Sequence, residues 1–401
     1  MKCKYIDSSL LMISEKGLEQ MQLYPENTLL LVTRSGILRH TIPVAILKKP
    51  ATINQDLKAI MLYTPNLEEY IYICIKGMES RLILEYTKAG ATVENINFDA
   101  FQKILLPIPP ENQIQRIIDA TNDTDEVIGK LKIDQEDLID IIDKTKSKIL
   151  DLAIRGKLVP QNPDDEPASV LLERIRAEKE KLIRQGKIKR DKKESVIFKG
   201  EDNSYYEKID GFDICIDEKI PFSLPENWRW ERLGNISTIA RGGSPRPIED
   251  YLTESDDGIN WIKIGDTEQG GKYISSTREK IIPAGLSKTR YVKSGDFLLT
   301  NSMSFGRPYI LKTDGCIHDG WLVIGDIENV FNQDYLYYAL SSGFMYKAFS
   351  EVAAGSTVKN LKSDTVRAVF FPVPPYDEQV RIANYVEKLF TTLASIENSL
   401  N

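Results

Sequence analysis

The chain has 401 residues, 42% of them hydrophobic and 28% charged, with a formal net charge of −7. This length predicts two or three domains, and the composition is that of a globular protein with exposed charged helices. The four cysteines form no close pair, and no apolar run approaches the roughly 20 residues of a membrane helix, which argues against a disulfide framework, a thiolate metal site and a membrane span. The amino-terminal residues lack the layout of a signal peptide, so we expect a cytoplasmic protein.

The first hundred residues predict part of an α+β domain. Thr28–Val32 is a β-rich run, and a polar segment that includes Arg34, Arg39 and His40 follows it. At Ile104–Ile117 the sequence ILLPIPPENQIQRI predicts a short apolar strand, a proline stop and the first turn of a helix. Proline cannot donate to a sheet ladder and disfavours helix in the residue before it, so this arrangement predicts a junction between a domain and a helix.

A long helix is predicted from residue 111 to residue 154. Apolar side chains recur there at alternating spacings of three and four residues over six heptads. This pattern is typical of a coiled-coil seam rather than of an ordinary amphipathic helix. At a rise of about 1.5 Å per residue, the helix would be about 65 Å long.

A basic stretch lies beyond that helix, between Arg174 and Lys193, with ten basic and three acidic residues. The overall negative charge argues against a nucleic-acid partner, because phosphate binding is driven by Lys and Arg that displace counterions. The uneven distribution weakens that argument. A basic run is more often a solvated helix face than a DNA contact, so this stretch permits DNA binding without establishing it.

A second α+β domain is predicted from residue 220 to residue 375. Trp261–Ile264 and Asp296–Thr300 are β-rich runs bounded by turn residues, and Asn332–Ser350 has helical spacing of its apolar side chains. The domain ends in VFFPVPPYDEQVRI at Val369–Ile382, where the prolines have the same spacing as in the first junction. A second helix, shorter than the first, is predicted at residues 376–401.

The two α+β segments are copies of one another. Ala89–Asn95 reads AGATVEN and Ala354–Asn360 reads AGSTVKN, at the same distance before the prolines. The tetrapeptides EYIY at Glu69–Tyr72 and DYLY at Asp334–Tyr337 also match. Ile220–Asp266 has no counterpart in the first copy. We therefore expect the first copy to begin in mid-domain, with its front half absent or supplied by another chain.

In combination, these motifs resemble the DNA specificity subunit of type I restriction-modification systems. The repeated pattern G-(A/S)-T-V-x-N, P-x-P-P and R-I is similar to the end of each target recognition domain in that family. Residues 148–193 resemble its inter-domain region, and Ile220–Ile236 resembles the start of a recognition domain. The resemblance covers nearly the whole chain, but each motif is specific only in the company of the others.

The resemblance implies an α+β fold in which tandem α/β target recognition domains are separated by long antiparallel coiled-coil helices. Each domain would read one half of a bipartite site in double-stranded DNA. The expected divisions are a partial first recognition domain at 1–110, a central coiled-coil helix and linker at 111–219, a second recognition domain at 220–375 and a distal coiled-coil helix at 376–401.

The resemblance also implies that the chain has no catalytic residues. The expected partners are modification subunits that use S-adenosylmethionine to methylate adenine N6, and ATP-dependent restriction subunits that join them. S-adenosylmethionine and ATP would bind to those subunits, so no cofactor or metal is expected in this chain. The exposed apolar seam of the longer helix also predicts possible self-association.

The strongest candidate for a DNA-contacting loop is Arg241–Pro247. Two glycines would let the backbone approach a phosphate, and two arginines could each hold a phosphate or a guanine edge with paired donors. The alternative is an ordinary surface turn after a strand. The candidate DNA-binding residues of this loop are Arg241, Gly242, Gly243, Ser244 and Arg246.

Two further loops offer polar side chains after a strand. The second domain offers Asn301, Ser302, Ser304 and Arg307, and the first domain offers Arg34, Arg39 and His40 at the matching position. Amide, hydroxyl and guanidinium groups can read base edges, although polar hairpin tips have the same composition. We expect His318 and the tryptophans Trp228, Trp230 and Trp261 to be structural.

Two other functions are open to the sequence. Val373–Tyr376 resembles the (N/D/S)-P-P-(Y/F) motif of adenine methyltransferases, but valine replaces the polar residue that holds the amine, and no glycine-rich cofactor loop precedes it. A methyltransferase is therefore disfavoured. The main alternative is a truncated or recombination-derived fragment that dimerises through its coiled coil, or blocks partner subunits, without reading a site itself.

Overall fold

The computed structural model describes residues 3–64, 66–88, 93–186, 190, 195–268, 270–301, 306–328, 330–353 and 360–400. The chain divides into two compact units, a first unit at Met1–Glu136 and a second unit at Asp137–Asn401. Both units mix helices with sheets, as the sequence predicts.

The first unit is built on one four-stranded sheet. Its strands are β1 (Tyr5–Ile6), β2 (Leu29–Val32), β3 (Val44–Leu47), β4 (Leu57–Ile60), β5 (Thr87–Lys88) and β6 (Asn95–Ile96), and its helices are α1 (Glu15–Leu18), α2 (Glu68–Gly77), α3 (Glu79–Tyr86), α4 (Phe98–Phe101) and the first part of α5 (Glu111–Ile154). The sheet order is β1-β3-β2-β4, while β5 and β6 form a separate pair. A 3₁₀ turn, Gly36–Arg39, lies between β2 and β3.

The core of the first unit lies between this sheet and its helices. Leu29, Leu31 and Ile46 are fully buried in the sheet, and Ile114 and Ile118 of α5 pack into the same cluster. These two α5 residues are four apart and therefore share one helix face. The long helix is thus anchored to the first unit by its first two turns.

The second unit contains a larger set of strands and helices. Its strands are β7 (Ser195–Lys199), β8 (Tyr205–Ile209), β9 (Phe212–Cys215), β10 (Arg229–Arg232), β11 (Thr238–Arg241), β12 (Leu252–Thr253), β13 (Ile259–Ile262), β14 (Tyr273–Ile274), β15 (Glu279–Ile281), β16 (Arg290–Val292), β17 (Phe297–Thr300), β18 (Pro308–Leu311), β19 (Gly315–Ile317), β20 (Trp321–Gly325) and β21 (Phe370–Val373). Its helices, besides the last part of α5, are α6 (Ala168–Arg184), α7 (Leu233–Ile236), α8 (Gln333–Leu340), α9 (Gly343–Ala353), α10 (Ser363–Arg367) and α11 (Tyr376–Leu400).

Two five-stranded sheets form the body of the second unit. One has the order β11-β20-β17-β18-β14 and the other the order β12-β15-β13-β19-β16. Two smaller sheets pair β10 with β21 and join β7, β8 and β9. Trp228, Trp230 and Trp261 are each at most 2% exposed, so the prediction that they are core residues is confirmed.

The strand registers show that the two units contain the same sheet. In the first unit, Leu29 of β2 pairs with Ile46 of β3 and with Ile60 of β4. In the second unit, Phe297 of β17 occupies the corresponding position. It pairs with Ile310 of β18 and Ile324 of β20. The parallel pairs β1–β3 and β14–β18 also correspond. The internal repeat therefore extends to the register of individual residues.

The first unit lacks the strands that would correspond to β10, β11, β12 and β13 in its described residues. This difference overturns one prediction, because the apolar segment before the first Pro-Pro, at residues 104–108, is not a strand. Its counterpart β21 is a strand only through its antiparallel pairing with β10. Without such a partner, the apolar segment has no ladder to join.

Two other element predictions need correction. The predicted helix at 332–350 is two helices, α8 and α9, because Ser342 breaks it: its hydroxyl donates to the Ala339 carbonyl and accepts from the Met345 N–H. The strand predicted at Trp261–Ile264 begins and ends earlier, as β13, because a 3₁₀ turn starts at Ile264. The Asp266 carboxylate fixes that turn by accepting from the Lys263 N–H.

The two long helices have the predicted starts and unequal lengths. Helix α5 has 44 residues and α11 has 25. Within the second unit they run antiparallel: Ile154 and Ile382 share one core cluster, and Lys146 forms a 2.8 Å ion pair with Glu397 near the other end. In the described part of the chain, no helix is both long enough and apolar enough to cross a membrane.

Candidate nucleic-acid interface

The glycines of the Arg241–Pro247 loop are required by contacts within the chain. A Cβ on Gly242 would lie 2.2 Å from the carbonyl oxygen of His318, and one on Gly243 would lie 2.8 Å from that of Lys288. The Gly242 N–H donates to the Trp321 carbonyl at 3.0 Å. The two glycines therefore let the loop lie flat against neighbouring backbone, which fixes the direction in which the following side chains project.

Asp319 is the centre of the candidate site. The Ser244 hydroxyl donates to its carboxylate at 2.8 Å, and Arg241 Nε donates to its backbone carbonyl at 2.9 Å. Arg246 lies 3.6 Å from the same carboxylate. Asn301 Nδ2 donates to the Asp319 carbonyl at 2.7 Å. The turn that contains Asp319 thus brings together two loops that the sequence predicts separately.

The charge of the site is positive on balance. The hydrogen bond from Ser244 lowers the pKa of Asp319, and the nearby Arg241 guanidinium acts in the same direction, so the carboxylate is ionised at neutral pH. Arg290 donates to the Arg241 carbonyl at 3.1 Å and adds a third guanidinium. Arg246 keeps 81% of its side chain exposed. The Asp319 carboxylate therefore orients two arginines, Arg241 and Arg246, and neutralises one positive charge, while Arg290 is held by the Arg241 carbonyl.

His318 supports the turn as a neutral acceptor. Its Nδ1 accepts from the Gly320 N–H at 2.7 Å, and its Nε2 lies 3.2 Å from the Ile264 N–H. Both ring nitrogens face donors, and burial lowers the pKa of the imidazole, so the protonated form is disfavoured. Its only contacts among the described residues are structural, in agreement with the sequence prediction.

Asn301 and Arg307 flank the tip of the β17–β18 hairpin. Asn301 is 1% exposed and its backbone N–H donates to the Gly320 carbonyl at 3.0 Å. Arg307 pairs with Thr300 through the backbone, and its side chain is exposed. Asn301 is therefore a positioning residue behind the surface, while Arg307 is available on it. Ser302 and Ser304 lie outside the described residues.

The first unit has its candidate residues at the corresponding strand end. Arg39 pairs with the carboxylate of Glu94, which is only 8% exposed, and this hydrogen bond lowers the pKa of Glu94. His40 is exposed and follows the same 3₁₀ turn. Arg34 is exposed and bridges Asn95 through the backbone. Two of the three side chains are therefore held by no ion pair in the described residues.

The correspondence between the two sites is visible in their hydrogen bonds. Thr33 follows β2 and accepts from the Ile96 N–H at 2.9 Å, as Asn301 follows β17 and accepts from the Leu361 N–H at 2.8 Å. Thr33 also donates to the Asp56 carbonyl. Its counterpart Asn301 donates to the Gly320 carbonyl, as described above. The candidate residues that follow β2 and β17 thus occupy corresponding places on equivalent sheets. The Arg241–Pro247 loop follows β11, which has no counterpart among the described residues of the first unit.

Sequence reasoning missed Asp319 and Arg290. Asp319-Gly320 is a turn-forming pair between two β-rich runs, which is a signal for a hairpin connection. That signal predicts a turn but not its neighbours, because the loop it contacts is more than 70 residues away in sequence.

The comparisons with known proteins identify the family. A family model described as the type I restriction modification DNA specificity domain matches residues 5–134 and 225–401. The chain belongs to this family. The resemblance drawn from its paired proline junctions is thereby confirmed.

Named relatives agree with this assignment. The type I restriction enzyme EcoEI specificity subunit of Escherichia coli is 49% identical over 98 residues, which is 24% of this chain and 14% of that protein. The EcoBI specificity subunit of Escherichia coli is 25% identical over 385 residues, or 94% of this chain and 69% of that protein. The alignment with the EcoEI subunit therefore spans only a small part of that relative.

A solved structure has the same fold. That structure was determined for the structural basis of complex assembly and conformational transition of the type I R-M system. The TM-score is 0.54 at 15% sequence identity, and the match covers 94% of this chain and 78% of that chain. At this identity the likeness concerns the fold, and it confirms the predicted combination of mixed α/β domains with a long helix.

Proposed function

We propose that this chain is a non-catalytic specificity subunit that reads a bipartite site in double-stranded DNA. Each unit reads one half-site. The chain directs partner subunits to methylate adenine N6 at that site, and to restrict DNA in which the site is unmethylated. The reaction takes place in the cytoplasm, where the partner subunits bind S-adenosylmethionine and ATP.

The observation that carries this proposal is the repeated placement of the candidate side chains. The two units contain equivalent sheets with the same strand register. Arg34 follows β2 in the first unit, and Arg307 lies opposite the end of β17 in the second unit. Two copies of a reading surface suit a site with two halves. The family to which the chain belongs supports the same function.

The geometry of the second unit explains how DNA would be held. The guanidinium groups of Arg241 and Arg246 lie 3.8 Å and 3.6 Å from the Asp319 carboxylate, which holds them in place without burying them. Such groups can shift from a carboxylate to a phosphate oxygen or to the O6 and N7 atoms of guanine. Ser244 and Asp319 then act by orienting the arginines.

The test is a genome-wide map of N6-methyladenine in cells that carry a matching modification subunit, with and without this gene. We expect a bipartite motif that appears only with the gene. The double variant R241A/R246A should lose methylation at the motif or relax the half-site that the second unit reads. R81A is the matched control, because Arg81 is exposed and paired with one carboxylate, Glu85.

Three results would contradict the proposal. If no methylation appears although the protein is present and folded, the chain does not read DNA in this role. If R241A/R246A retains the full motif at the wild-type level, the Asp319 site is not the reader in the second unit. If R81A has the same effect as the double variant, the loss reflects general charge rather than this loop.

A fragment that assembles without reading DNA is the second candidate. It is favoured by Ile128 and Leu131 of α5, which lie on the predicted coiled-coil seam and are 43% and 62% exposed. Sedimentation of the purified chain tests it. A concentration-dependent dimer that I128E/L131E converts to a monomer, together with no methylation in the map, would favour this function over reading.

A further inference from the structure

The outer edge of β4 is an unfilled position in the sheet of the first unit. Thr33 donates to the Asp56 carbonyl across the β2–β4 ladder. Because hydrogen-bonded pairs alternate along an antiparallel ladder, the N–H groups of Leu57 and Ala59 point away from β2. The Leu57 N–H donates to the Asn54 carbonyl at 3.3 Å, so the Ala59 N–H is the donor that faces the open edge. In the described part of the chain, β4 ends the sheet and has no further strand beside it.

The corresponding edge in the second unit is filled. Strand β20 occupies the place of β4, and β11 pairs with it antiparallel, with Ala240 opposite Val323. Val323 corresponds to Ala59 by the shared register of the two sheets. Strand β20 is buried throughout, whereas Lys58 of β4 is exposed.

Two apolar segments of the first unit are exposed where the second unit has partners for them. Leu11 and Met12 are 85% and 88% exposed. These two residues come just before the helical turn α1. In the second unit, β15 comes just before the corresponding turn at Pro283–Lys288, and it pairs with β12 and β13 in the sheet. The buried Ile281 of β15 shows the effect of that cover.

The second segment lies before the first Pro-Pro. Leu105 is 93% exposed and Ile108 is 59% exposed, whereas the residues at the matching positions of β21 are half-buried at Phe370 and fully buried at Val373. Strand β21 pairs antiparallel with β10. All three open positions of the first unit therefore correspond to strands from one continuous segment of the second unit, residues 229–262.

The first unit nevertheless has a closed core. Leu29, Leu31, Leu38 and Ile46 are at most 1% exposed without any strand on the outer side of β4. The acceptor surface can therefore be present before a donor arrives. This is the condition for filling the position with a separate polypeptide.

We propose that the first unit binds a separate polypeptide that supplies strands equivalent to β10, β11, β12 and β13. Its β11-like strand adds antiparallel to β4, opposite Lys58, Ala59 and Ile60. Backbone hydrogen bonds give the affinity, and apolar side chains that cover residues 11–13 and 105–108 give the register. This inference concerns a protein partner and does not depend on the DNA-reading proposal.

A second copy of the chain is a poorer occupant. Its own β10–β13 segment is already built into its second unit, where Trp230 and Ile239 are 1% and 4% exposed. Donating that segment would open the core of the donor. A polypeptide that consists only of the β10–β13 segment can bind without opening a core of its own.

The experiment uses the full chain as the acceptor and a tagged polypeptide of residues 220–268 as the donor probe, coexpressed and separately purified. We expect the donor to copurify at one per chain. It should slow hydrogen exchange at the Ala59 amide by at least about tenfold, and also lower exchange at residues 10–13 and 105–108. Donor binding without protection at β4, or no binding, overturns the proposal.

Two variants sharpen the result. The donor variant Ile239→Asp places a charge on the apolar face of the added strand and should abolish protection without touching the acceptor. The acceptor variant Ala59→Pro removes an outward N–H and should block the edge. If both variants bind as tightly as the originals, the β4 edge is not the docking surface. If the chain alone protects β4 at high concentration, a second copy is the occupant and the proposal is wrong.

Discussion

The two units contain equivalent four-stranded sheets, and in the second unit a fifth strand, β11, is added at one edge. In the second unit, β20 is an interior strand and every residue in it is buried. In the first unit, β4 holds the same register against β2 but is an edge strand with Lys58 exposed. The comparison shows that the order of the four shared strands, and the loops that follow β2 and β17, are the same in both units, although only the second unit has a strand beside the fourth. In the second unit, β10 and β11 add the strands that pair with β21 and β20.

The largest expected difference between the units concerns the apolar segment before each Pro-Pro. Val373→Ala should lower the free energy of unfolding of the second unit by about 1.5–3 kcal/mol, because Val373 is fully buried. Ile108→Ala, at the matching position, should change the free energy of unfolding of the first unit by less than about 0.5 kcal/mol, because 59% of the residue is exposed.

These changes can be measured separately. All four tryptophans, Trp228, Trp230, Trp261 and Trp321, lie in the second unit, so their fluorescence during guanidinium unfolding reports that unit. Hydrogen exchange of residues 29–47 reports the first. A loss above about 1.5 kcal/mol for Ile108→Ala would mean that the segment is covered in solution, and that the first unit is not open there.

Glycine-to-alanine substitutions at the two candidate sites should change the free energy of unfolding in opposite directions. Gly242→Ala should destabilise the second unit by about 1–3 kcal/mol, because its Cβ would collide with the His318 carbonyl. Gly36→Ala in the first unit meets no atom within 4 Å and should stabilise that unit by about 0.4–1 kcal/mol. Calorimetry of both variants tests this, and equal destabilisation would contradict the difference.

Arginine substitutions should separate binding from stability. Arg241→Ala should weaken DNA binding by about 1–3 kcal/mol with little change in stability, because its side chain is half exposed. Arg39→Ala should also destabilise the first unit, since it leaves the nearly buried Glu94 carboxylate without its ion pair. Fluorescence anisotropy at two salt concentrations and thermal unfolding test this pair. If Arg241 has only a structural role, Arg241→Ala would lower the stability of the second unit and leave DNA affinity unchanged.

The smallest expected effect is a pH dependence confined to the second unit. The pKa of His318 is lowered in the folded state by burial, so the unfolded state binds the proton more readily. The contribution of His318 to the free energy of unfolding should therefore be fully present above the ordinary histidine pKa of 6.5 and should be lost as the pH falls below it. The measurement is guanidinium unfolding between pH 5 and 8.

The first unit suggests the control for this titration. Asn54 holds the position of His318, and its Oδ1 accepts from the Asp56 N–H as His318 Nδ1 accepts from the Gly320 N–H. His318→Asn should keep the turn and flatten the pH profile. An unchanged profile in this variant would show that other groups cause the dependence.

The sequence predicts the elements that depend on local pattern. The proline junctions, the start of α5 at Glu111 and the start of α11 at Tyr376 all follow from proline chemistry and heptad spacing. The failed strand at 104–108 has the same apolar pattern as β21, and differs only in lacking a partner. Periodicity detects a side chain's suitability for burial, but not the presence of a covering strand.

The candidate site shows the same limit. Arg241, Ser244 and Arg246 are visible as a polar loop with glycines, but Asp319, which holds them, belongs to a distant turn. The glycines are explained by contacts with the backbone of His318 and Lys288, which no local pattern encodes. Long-range pairing of β11 with β20 creates this site, so sequence reasoning could find its parts without assembling them.

The most direct test of this account compares the exchange rates of two amides in the free chain. Ala59 in β4 and Val323 in β20 occupy the same register position, and both N–H groups point to the outer side of their strand. We expect Ala59 to exchange like an exposed amide, and Val323 to be protected by its bond to β11. Equal protection of the two amides would contradict the claim that the same sheet is open in the first unit and closed in the second.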